Sequence, residues 1–430
     1  MSSNKSSNHS PLGNPEELSE TVVLSSGASL ILMPSPGTHV AHVAVMVFTG
    51  TRDESHSTAG ISHFIEHMSF KGTSTRKAFF ILNRIDSIGG EINAYTTKEL
   101  TCYYASVPAI YTQRALDLLL DLVLNSTFPG NEIEKEKNVI SEEIDMYQDY
   151  PEETIFEDFE EKLFPKQAIG NPILGTKKTI QQFTPEVLTE HHTKWYHAQN
   201  IGIGISADIS ASTLLSWTET LWDKYAKPKL PRPSKRKKIT LVDKAFHEVV
   251  KKSVQQSHVM LGGIGPARST DEYFPMILLI NYLGGPAMNA RLNWVVREKH
   301  GLVYQISSSL QAYQDASFLN VYFSCDAAHK GKVMSLLQKE CEILLNSGLK
   351  ASNLEKVKKQ YTGNLILQRD HRMNLLLQHV KESFLPDSLS LDAFTQKILS
   401  ITPAETLTAA QQYLNPAQWS SIVYLPEKES

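Results

Sequence analysis

The sequence has few cysteines and no long hydrophobic run, and each deficit excludes a class of protein. Its 430 residues include three cysteines, Cys102, Cys325 and Cys341, with no CxxC pair. Three widely spaced cysteines form neither a disulfide framework nor a metal knuckle, so a reducing, cytoplasmic setting is the simplest expectation. No apolar stretch approaches the ~18 residues that span a bilayer, so we do not expect a membrane protein.

An excess of charge of one sign is also missing. Lys and Arg number 42 against 46 Asp and Glu, which gives a formal net charge of −4. That balance gives no support to a protein that binds nucleic acid or another polyanion. Residues 1–15 are mostly Ser, Asn, Pro and Gly and lack the apolar core of a signal peptide. We therefore expect a disordered tail there.

What remains is ordinary globular composition in a chain long enough for two or three domains. Apolar residues make up 41% and charged residues 20%. The sharpest break in composition is segment 227–238, KPKLPRPSKRKK, whose prolines and basic residues are typical of an extended interdomain linker. A basic binding patch is the alternative interpretation. The linker divides the chain into predicted domains at 16–226 and 239–430.

Both halves show the same order of predicted elements: strand-like runs, a helix, a strand pair and amphipathic helices. In the first half they fall at 21–24, 29–33, 39–48, 57–70, 91–97, 101–107, 111–125 and 131–147. In the second half they fall at 239–243, 258–262, 271–283, a helix ending near 299, 302–309 and 316–325, with helices through 413.

A fixed offset of 221 residues supports this repetition. It aligns Leu124-Asn125-Ser126 with Leu345-Asn346-Ser347, and Asp149 with Asp370. Separate segments that share one offset favour a duplicated α+β unit, with chance similarity between amphipathic helices as the alternative. We therefore predict an α+β fold of two homologous domains, each an antiparallel sheet packed with helices.

A cluster of metal-binding residue types lies in the segment GISHFIEHMSF. His63, Glu66 and His67 form an HxxEH pattern, and on a helix all three occupy one arc of about 100°. Two imidazoles at i and i+4 can bind one Zn²⁺, and the carboxylate beside them can take a proton from a water that the metal activates. The alternative is a histidine-rich helix edge with ordinary hydrogen bonds.

A third ligand is expected from helix 131–147. Its apolar face carries Glu136 and Glu143, two turns apart, whereas Glu142 is turned to the side. A carboxylate that faces a core is costly unless it is paired or binds a metal. We therefore predict Glu143 as the ligand and Glu136 as a supporting or alternative ligand; pairing with Lys or Arg from elsewhere would satisfy both equally.

These residues resemble the zinc site of the pitrilysin-type (inverzincin) metallopeptidases. HFIEH is followed, 76 residues after His67, by Glu143 within VISEEI. The resemblance implies that His63, His67 and Glu143 bind Zn²⁺, that Glu66 is the general base, and that Glu136 supports the site.

Two further segments carry the resemblance. GGEINAYT, residues 89–96, resembles the family's GGxxNAxT edge strand, which implies that Asn93 and Ala94 bind an extended substrate. REKHGLVY, residues 297–304, resembles the REKxGLVY signature. It implies that Arg297 and Tyr304 assist substrate binding and stabilise the transition state.

The resemblance also implies an assembly. It is to the half-size branch, similar to mitochondrial processing peptidase subunits and their bacterial relatives, in which two domains form one half of a clamshell around a peptide. We expect a homodimer, or a heterodimer with a paralogue, that cleaves unstructured oligopeptides, with Arg297 and Tyr304 serving the partner chain's zinc site. The second domain has no zinc set, because Glu143 falls on Asn364. The alternative function is a non-catalytic peptide-binding or chaperone-like subunit.

Overall fold

The computed structural model of the chain describes residues 19–225, 236–241, 244–385 and 388–427. The predicted tail, 1–15, and residues 227–235 of the predicted linker lie outside these ranges. Within them, no helix is long and apolar enough to cross a membrane.

Strands and helices form two sheet-centred halves. The strands of the first half are β1 Glu20–Val23, β2 Ser29–Pro34, β3 Val40–Val47, β4 Glu91–Thr96, β5 Thr101–Pro108 and β6 Ile201–Ala207. Its helices are α1 Ile61–Ser69, α2 Ala78–Asp86, α3 Thr112–Asn125, α4 Gly130–Gln148, α5 Pro151–Leu163, α6 Lys177–Ile180, α7 Pro185–Trp195 and α8 Ala211–Tyr225.

The second half repeats this composition. Its strands are β7 His247–Lys252, β8 Ser257–Gly265, β9 Gln305–Ala312, β10 Ser317–Cys325 and β11 Ser420–Pro426. Its helices are α9 Tyr273–Gly284, α10 Lys330–Ser347, α11 Ala351–Arg369, α12 Arg372–Glu382, α13 Leu391–Ser400 and α14 Pro403–Tyr413, with a π-helical turn at Asn293–Glu298.

The two sheets share one strand order, which confirms the predicted duplication. The orders are β1-β2-β6-β3-β5-β4 and β7-β11-β8-β10-β9, so the last five strands of the first sheet correspond one to one with the second. Helices α4 and α11 lie 221 residues apart at both ends, the offset seen in the sequence. Each sheet was predicted to be antiparallel, but one strand pair in each is parallel: β2 with β6, and β7 with β11.

One helix of each half packs on the sheet of the other half. Helix α5 joins a buried cluster with strands of the second sheet: Ile155, Phe159, Leu163, Met260, Phe318, Tyr322, Ile422 and Tyr424. Helix α12 packs in return on β3 and β6, where Val380 lies against Gly202 and Gly204. A Cβ atom at Gly204 would lie 2.5 Å from Val380 Cγ2, so glycine leaves the room that α12 occupies. The apolar cores of the two halves are therefore interlocked.

The first predicted strand of the second half is wrong. Residues 239–241 are not in a strand, 242–243 lie outside the described residues, and the strand is β7 instead. The backbone N–H groups of Ile239 and Thr240 donate to the side chains of Asp315 and Gln167, and Ile239 packs beside the α5 cluster. The apolar side chain of Ile239, part of the predicted strand, therefore packs against the α5 cluster instead of pairing in a sheet. Strands β6 and β11 had no sequence prediction.

Candidate metal centre

Helix α1 starts where the chain can make a sharp turn. Gly60 has a φ of 90°, and a Cβ atom there would lie 2.5 Å from the carbonyl oxygen of Leu174. Glu54 satisfies two of the free N–H groups at this helix start: its Oε2 accepts from Gly60 at 2.8 Å and its Oε1 from Ser62 at 2.9 Å. Burial of this carboxyl raises the pKa of Glu54 to about 7, against the lowering effect of those hydrogen bonds.

The apolar face of α1 fixes the orientation of its polar face. Phe64, Ile65 and Met68 are fully buried in the core of the first half. Since His63 and His67 lie on the remaining face, they meet helix α4, which packs against α1. The HxxEH segment is therefore helical, as predicted, and its polar residues share a face separate from the buried apolar one, also as predicted.

The structure brings His63, His67 and Glu143 together, as the sequence predicts. One ligand atom from each lies within 4.8 Å of the others. His63 Nε2 is 3.9 Å from Glu143 Oε1, and His67 Nε2 is 3.7 Å from Glu143 Oε2. Ligand atoms held at 2.0–2.1 Å from one tetrahedral ion lie roughly 3.3 Å apart, so a small contraction would close this set around Zn²⁺.

The histidines differ in protonation. Burial, and then the charge of His67, lowers the pKa of His63 to about 3, so its ring is neutral at pH 7. Its Nδ1 is buried without a hydrogen-bond partner in the described part of the chain, which leaves Nε2 to meet an ion. Burial also lowers the pKa of His67, but the Glu136 hydrogen bond and the Glu143 charge outweigh it and raise the value. A metal ion that binds the ring of His67 would displace the second proton that this raised pKa favours.

Glu136 supports His67 from the side away from Glu143. Its Oε1 lies 2.8 Å from His67 Nδ1, and its Oε2 accepts from Lys71 Nζ at 2.7 Å. Burial acts to raise the pKa of Glu136, but the hydrogen bonds from His67 and Lys71 outweigh it. The pKa therefore lies below its ordinary value, and the carboxylate is ionised. A carboxylate at Nδ1 directs the lone pair of Nε2 toward the ligand position. Of the two predicted roles for Glu136, this geometry favours the supporting one.

Glu66 lies on the same face of α1. Its Oε2 accepts a hydrogen bond from the hydroxyl of Thr96 on β4. Burial raises the pKa of Glu66 to about 7, although the Thr96 hydrogen bond and the charge of His67 act against it. A carboxyl that titrates near neutral pH is suited to take up and release a proton.

Strand β4 forms one edge of the first sheet, beside α1. Among the described strands it pairs only with β5, so its outer edge is available for strand addition. Asn93 is exposed, and its Oδ1 accepts from the Ala94 N–H at 2.8 Å, while Ala94 packs against the core. Asn93 and Ala94, two of the residues predicted to bind substrate, thus lie on an open strand edge.

The structure does not bring Arg297 and Tyr304 to the metal centre of their own chain. Arg297 is exposed, and its ion pair is with the adjacent Glu298 at 3.8 Å. Tyr304 is 79% exposed just before β9. Neither makes a hydrogen bond or ion pair with His63 or Glu66 within the described ranges.

Three contributors to the centre were missed by the sequence analysis: Glu54, Lys71 and Thr96. Thr96 ends the GGEINAYT segment already singled out, so its place on the strand could have indicated it. Glu54 acts on the start of α1, and Lys71 acts on the carboxylate of Glu136. Only the packing of α1 on α4 reveals these contacts. No sequence spacing indicated either of them.

Comparison with known proteins assigns the chain to a family. Residues 30–177 match the model for insulinase, peptidase family M16, and residues 182–361 match the model for the peptidase M16 inactive domain. A Bacillus subtilis protein named "Uncharacterized zinc protease YmxG" is 34% identical over 362 residues, 84% of this chain and 86% of that protein. The chain belongs to peptidase family M16. The first M16 match contains every residue of the metal centre, and the second contains Arg297 and Tyr304.

Further M16 relatives extend over nearly the whole chain. A Rickettsia bellii "Uncharacterized zinc protease" is 28% identical over 403 residues, 93% of this chain and 96% of that protein. The crystal structure of a protease from Helicobacter pylori superposes with a TM-score of 0.88 at 21% identity, covering 95% of this chain and 99% of the other. The predicted two-domain α+β fold is thereby confirmed as an M16 fold.

Proposed function

We propose that this M16 protein is a zinc-dependent endopeptidase that hydrolyses unstructured oligopeptides. The observation that carries the proposal is the convergence of His63, His67 and Glu143 on one point. The carboxylate of Glu66 lies on the same helix face, and an open strand edge lies beside it. A binding module needs the strand edge but has no use for a carboxylate placed as Glu66 is.

The donor set fits zinc, because two imidazoles and one carboxylate leave a fourth position open in a tetrahedral site. Zn²⁺ held by His63, His67 and Glu143 would polarise the scissile carbonyl and lower the pKa of the attacking water. Glu66 takes a proton from that water as its oxygen bonds to the carbonyl carbon. It then gives the proton to the leaving amine as the C–N bond breaks.

The edge of β4 determines which peptides fit. A peptide that adds to this edge is held by main-chain hydrogen bonds at positions such as Asn93 and Ala94, whatever its side chains. Only an extended segment can align in this way, so the substrate is an unfolded oligopeptide rather than a folded protein.

We further propose that the active unit is a dimer, either of two copies or with a paralogue, which encloses the peptide. Arg297 and Tyr304 would then donate hydrogen bonds to the reacting carbonyl bound at the partner's zinc site. Both side chains are exposed, and neither bonds to the metal centre of its own chain in the part that the structure describes, which supports this arrangement. The three cysteines are free and buried, in keeping with a cytoplasmic setting.

Mixed dimers test the partner assignment. A Glu66→Gln chain and a Tyr304→Phe chain, each inactive alone, should regain activity together, because one site of the mixed dimer has an intact base and an intact phenol. Mixed dimers that form but stay inactive would show that Tyr304 acts within its own chain.

Cleavage of a mixture of unstructured 15–30-residue peptides tests the activity itself. We expect the wild type to cut, and Glu66→Gln to bind zinc without cutting. A zinc-loaded wild-type homodimer that cuts nothing would instead leave two explanations, a missing paralogous partner chain or a non-catalytic, peptide-binding subunit.

A further inference from the structure

Thr96 connects the edge strand to the proposed general base. Its hydroxyl donates to Oε2 of Glu66. In the described part of the chain, this is the one hydrogen bond that the Glu66 carboxylate accepts, and Oε1 has none. The two oxygens of the carboxylate therefore differ: one is anchored and the other is open.

The alternation of β4 places Thr96 beside α1. Ile92 and Ala94 pack against the core that contains α1, and Thr96 lies two residues further along on the same face of the strand. Tyr95 points to the opposite face, where it meets Tyr104. As long as Ile92 and Ala94 stay packed against that core, the strand places Thr96 beside Glu66.

The surroundings of Thr96 direct its single hydroxyl proton to Glu66. The other candidate acceptor, Thr101 Oγ1, is 3.5 Å away, at the limit for a hydrogen bond. Thr101 uses its own proton on the Thr49 carbonyl at 3.0 Å. A hydroxyl favours the closer and negatively charged acceptor, which is Glu66.

We propose that Thr96 is a positioning residue that holds Glu66 with Oε1 turned toward the attacking water. The inference rests on the proposed peptidase function. Rotation about the terminal bond of a Glu side chain is only weakly restricted, so an unanchored carboxylate samples orientations that cannot take the proton. An anchored one presents the same oxygen in every catalytic cycle.

The same strand would hold both the substrate and the base. A peptide on the outer edge of β4 and the Glu66 carboxylate at its inner face are joined through one short stretch of backbone. Strand β4 thereby sets the distance between the scissile bond and the oxygen that takes the proton.

Three substitutions isolate the hydroxyl of Thr96. Thr96→Val keeps the shape of the side chain but removes the hydroxyl, and Thr96→Ser keeps the hydroxyl. Thr49→Val is the matched control, because the Thr49 carbonyl accepts from Thr101 nearby, and its buried hydroxyl has no partner within the described residues. Each variant is assayed for kcat, KM, bound zinc and unfolding temperature.

We expect Thr96→Val to lower kcat about 10- to 100-fold, the range for residues that orient a reacting group, and to leave KM within about twofold. Bound zinc and unfolding temperature should match those of the wild type. Thr96→Ser should recover most of the lost kcat, and Thr49→Val should behave like the wild type. If Thr96→Val does not fold, Thr96→Ala takes its place.

Two results would overturn the inference while leaving the peptidase proposal intact. One is a wild-type kcat in Thr96→Val; the other is a Thr96→Ser variant as slow as Thr96→Val. A zinc-loaded wild type without any cleavage would instead remove the proposed function, and the role of Thr96 would be lost with it.

Discussion

The Nδ1 atom of His67 lies 2.8 Å from Oε1 of Glu136, and this contact decides how His67 meets a metal ion. An ionised carboxylate at Nδ1 keeps the proton on that nitrogen and the lone pair on Nε2, the atom that faces Glu143. Lys71, at 2.7 Å from the other oxygen of Glu136, keeps the carboxylate ionised and in place. The metal centre thus has three candidate ligands, His63, His67 and Glu143, supported by Glu136 and Lys71, and of these five residues only Lys71 was not predicted from the sequence.

Glu136→Gln should weaken zinc binding about 10- to 100-fold without removing a ligand. The amide is a poorer partner for His67 Nδ1 and cannot pair with Lys71 as an anion. Competition with a chelator of known affinity measures the effect. Glu134→Gln, on an exposed face of the same helix, is the control. Equal zinc affinity in the two variants would show that Glu136 does not orient His67.

The carboxyl of Glu54 should make stability depend on pH. Its pKa is about 7 in the folded protein, against 4.5 for the unconstrained group, so the folded state holds an extra proton between these values. The contribution of Glu54 to the free energy of unfolding is therefore full below about pH 4.5, and it falls as the pH rises through 7, by about 1–3 kcal/mol.

Glu54→Gln tests this dependence, because the amide stays neutral at every pH. Urea unfolding of the metal-free protein at pH 5 and pH 8 should show the wild type losing more stability than the variant. The amide also places an N–H against one N–H of α1, which lowers stability by a constant amount at both pH values. Parallel pH curves for the two proteins would contradict the assignment.

Gly204→Ala should loosen the contact between the halves. The added Cβ would lie 2.5 Å from Val380 Cγ2 and 2.9 Å from Leu376 Cδ1, so α12 must shift. We expect a loss of about 1–3 kcal/mol in the free energy of unfolding. Adding Val380→Ala to the Gly204→Ala chain should restore part of the lost stability. Gly331→Ala, where an added Cβ meets no atom within 4 Å, is the control. A Gly204→Ala variant as stable as the control would mean that α12 is not held on β6.

The sequence predicted those parts of the molecule that rest on local periodicity. His63, Glu66 and His67 share a helix face because four residues make about one turn, and Glu136 and Glu143 share a face for the same reason. The duplication was visible because α4 and α11 kept one offset.

Long-range packing was not predictable in the same way. Two glycines, Gly202 and Gly204, indicate a weak strand in the sequence. In the structure, Val380 of α12, far along the chain, occupies the space that side chains at these positions would need. Strand β7, HEVVKK, was missed because its alternation is between exposed and half-buried positions, without a fully buried apolar face. Thr96 and Lys71 act across elements, and no spacing within one element could indicate their partners.

The most direct test of the zinc peptidase compares Glu143→Gln with Glu142→Gln, neighbours on α4 that face the metal centre and the solvent respectively. Bound zinc per chain and peptide cleavage are measured on the same samples. We predict that Glu142→Gln binds one zinc ion and cleaves like the wild type, and that Glu143→Gln loses both zinc and cleavage. Equal zinc content and equal cleavage in the two variants would contradict the account.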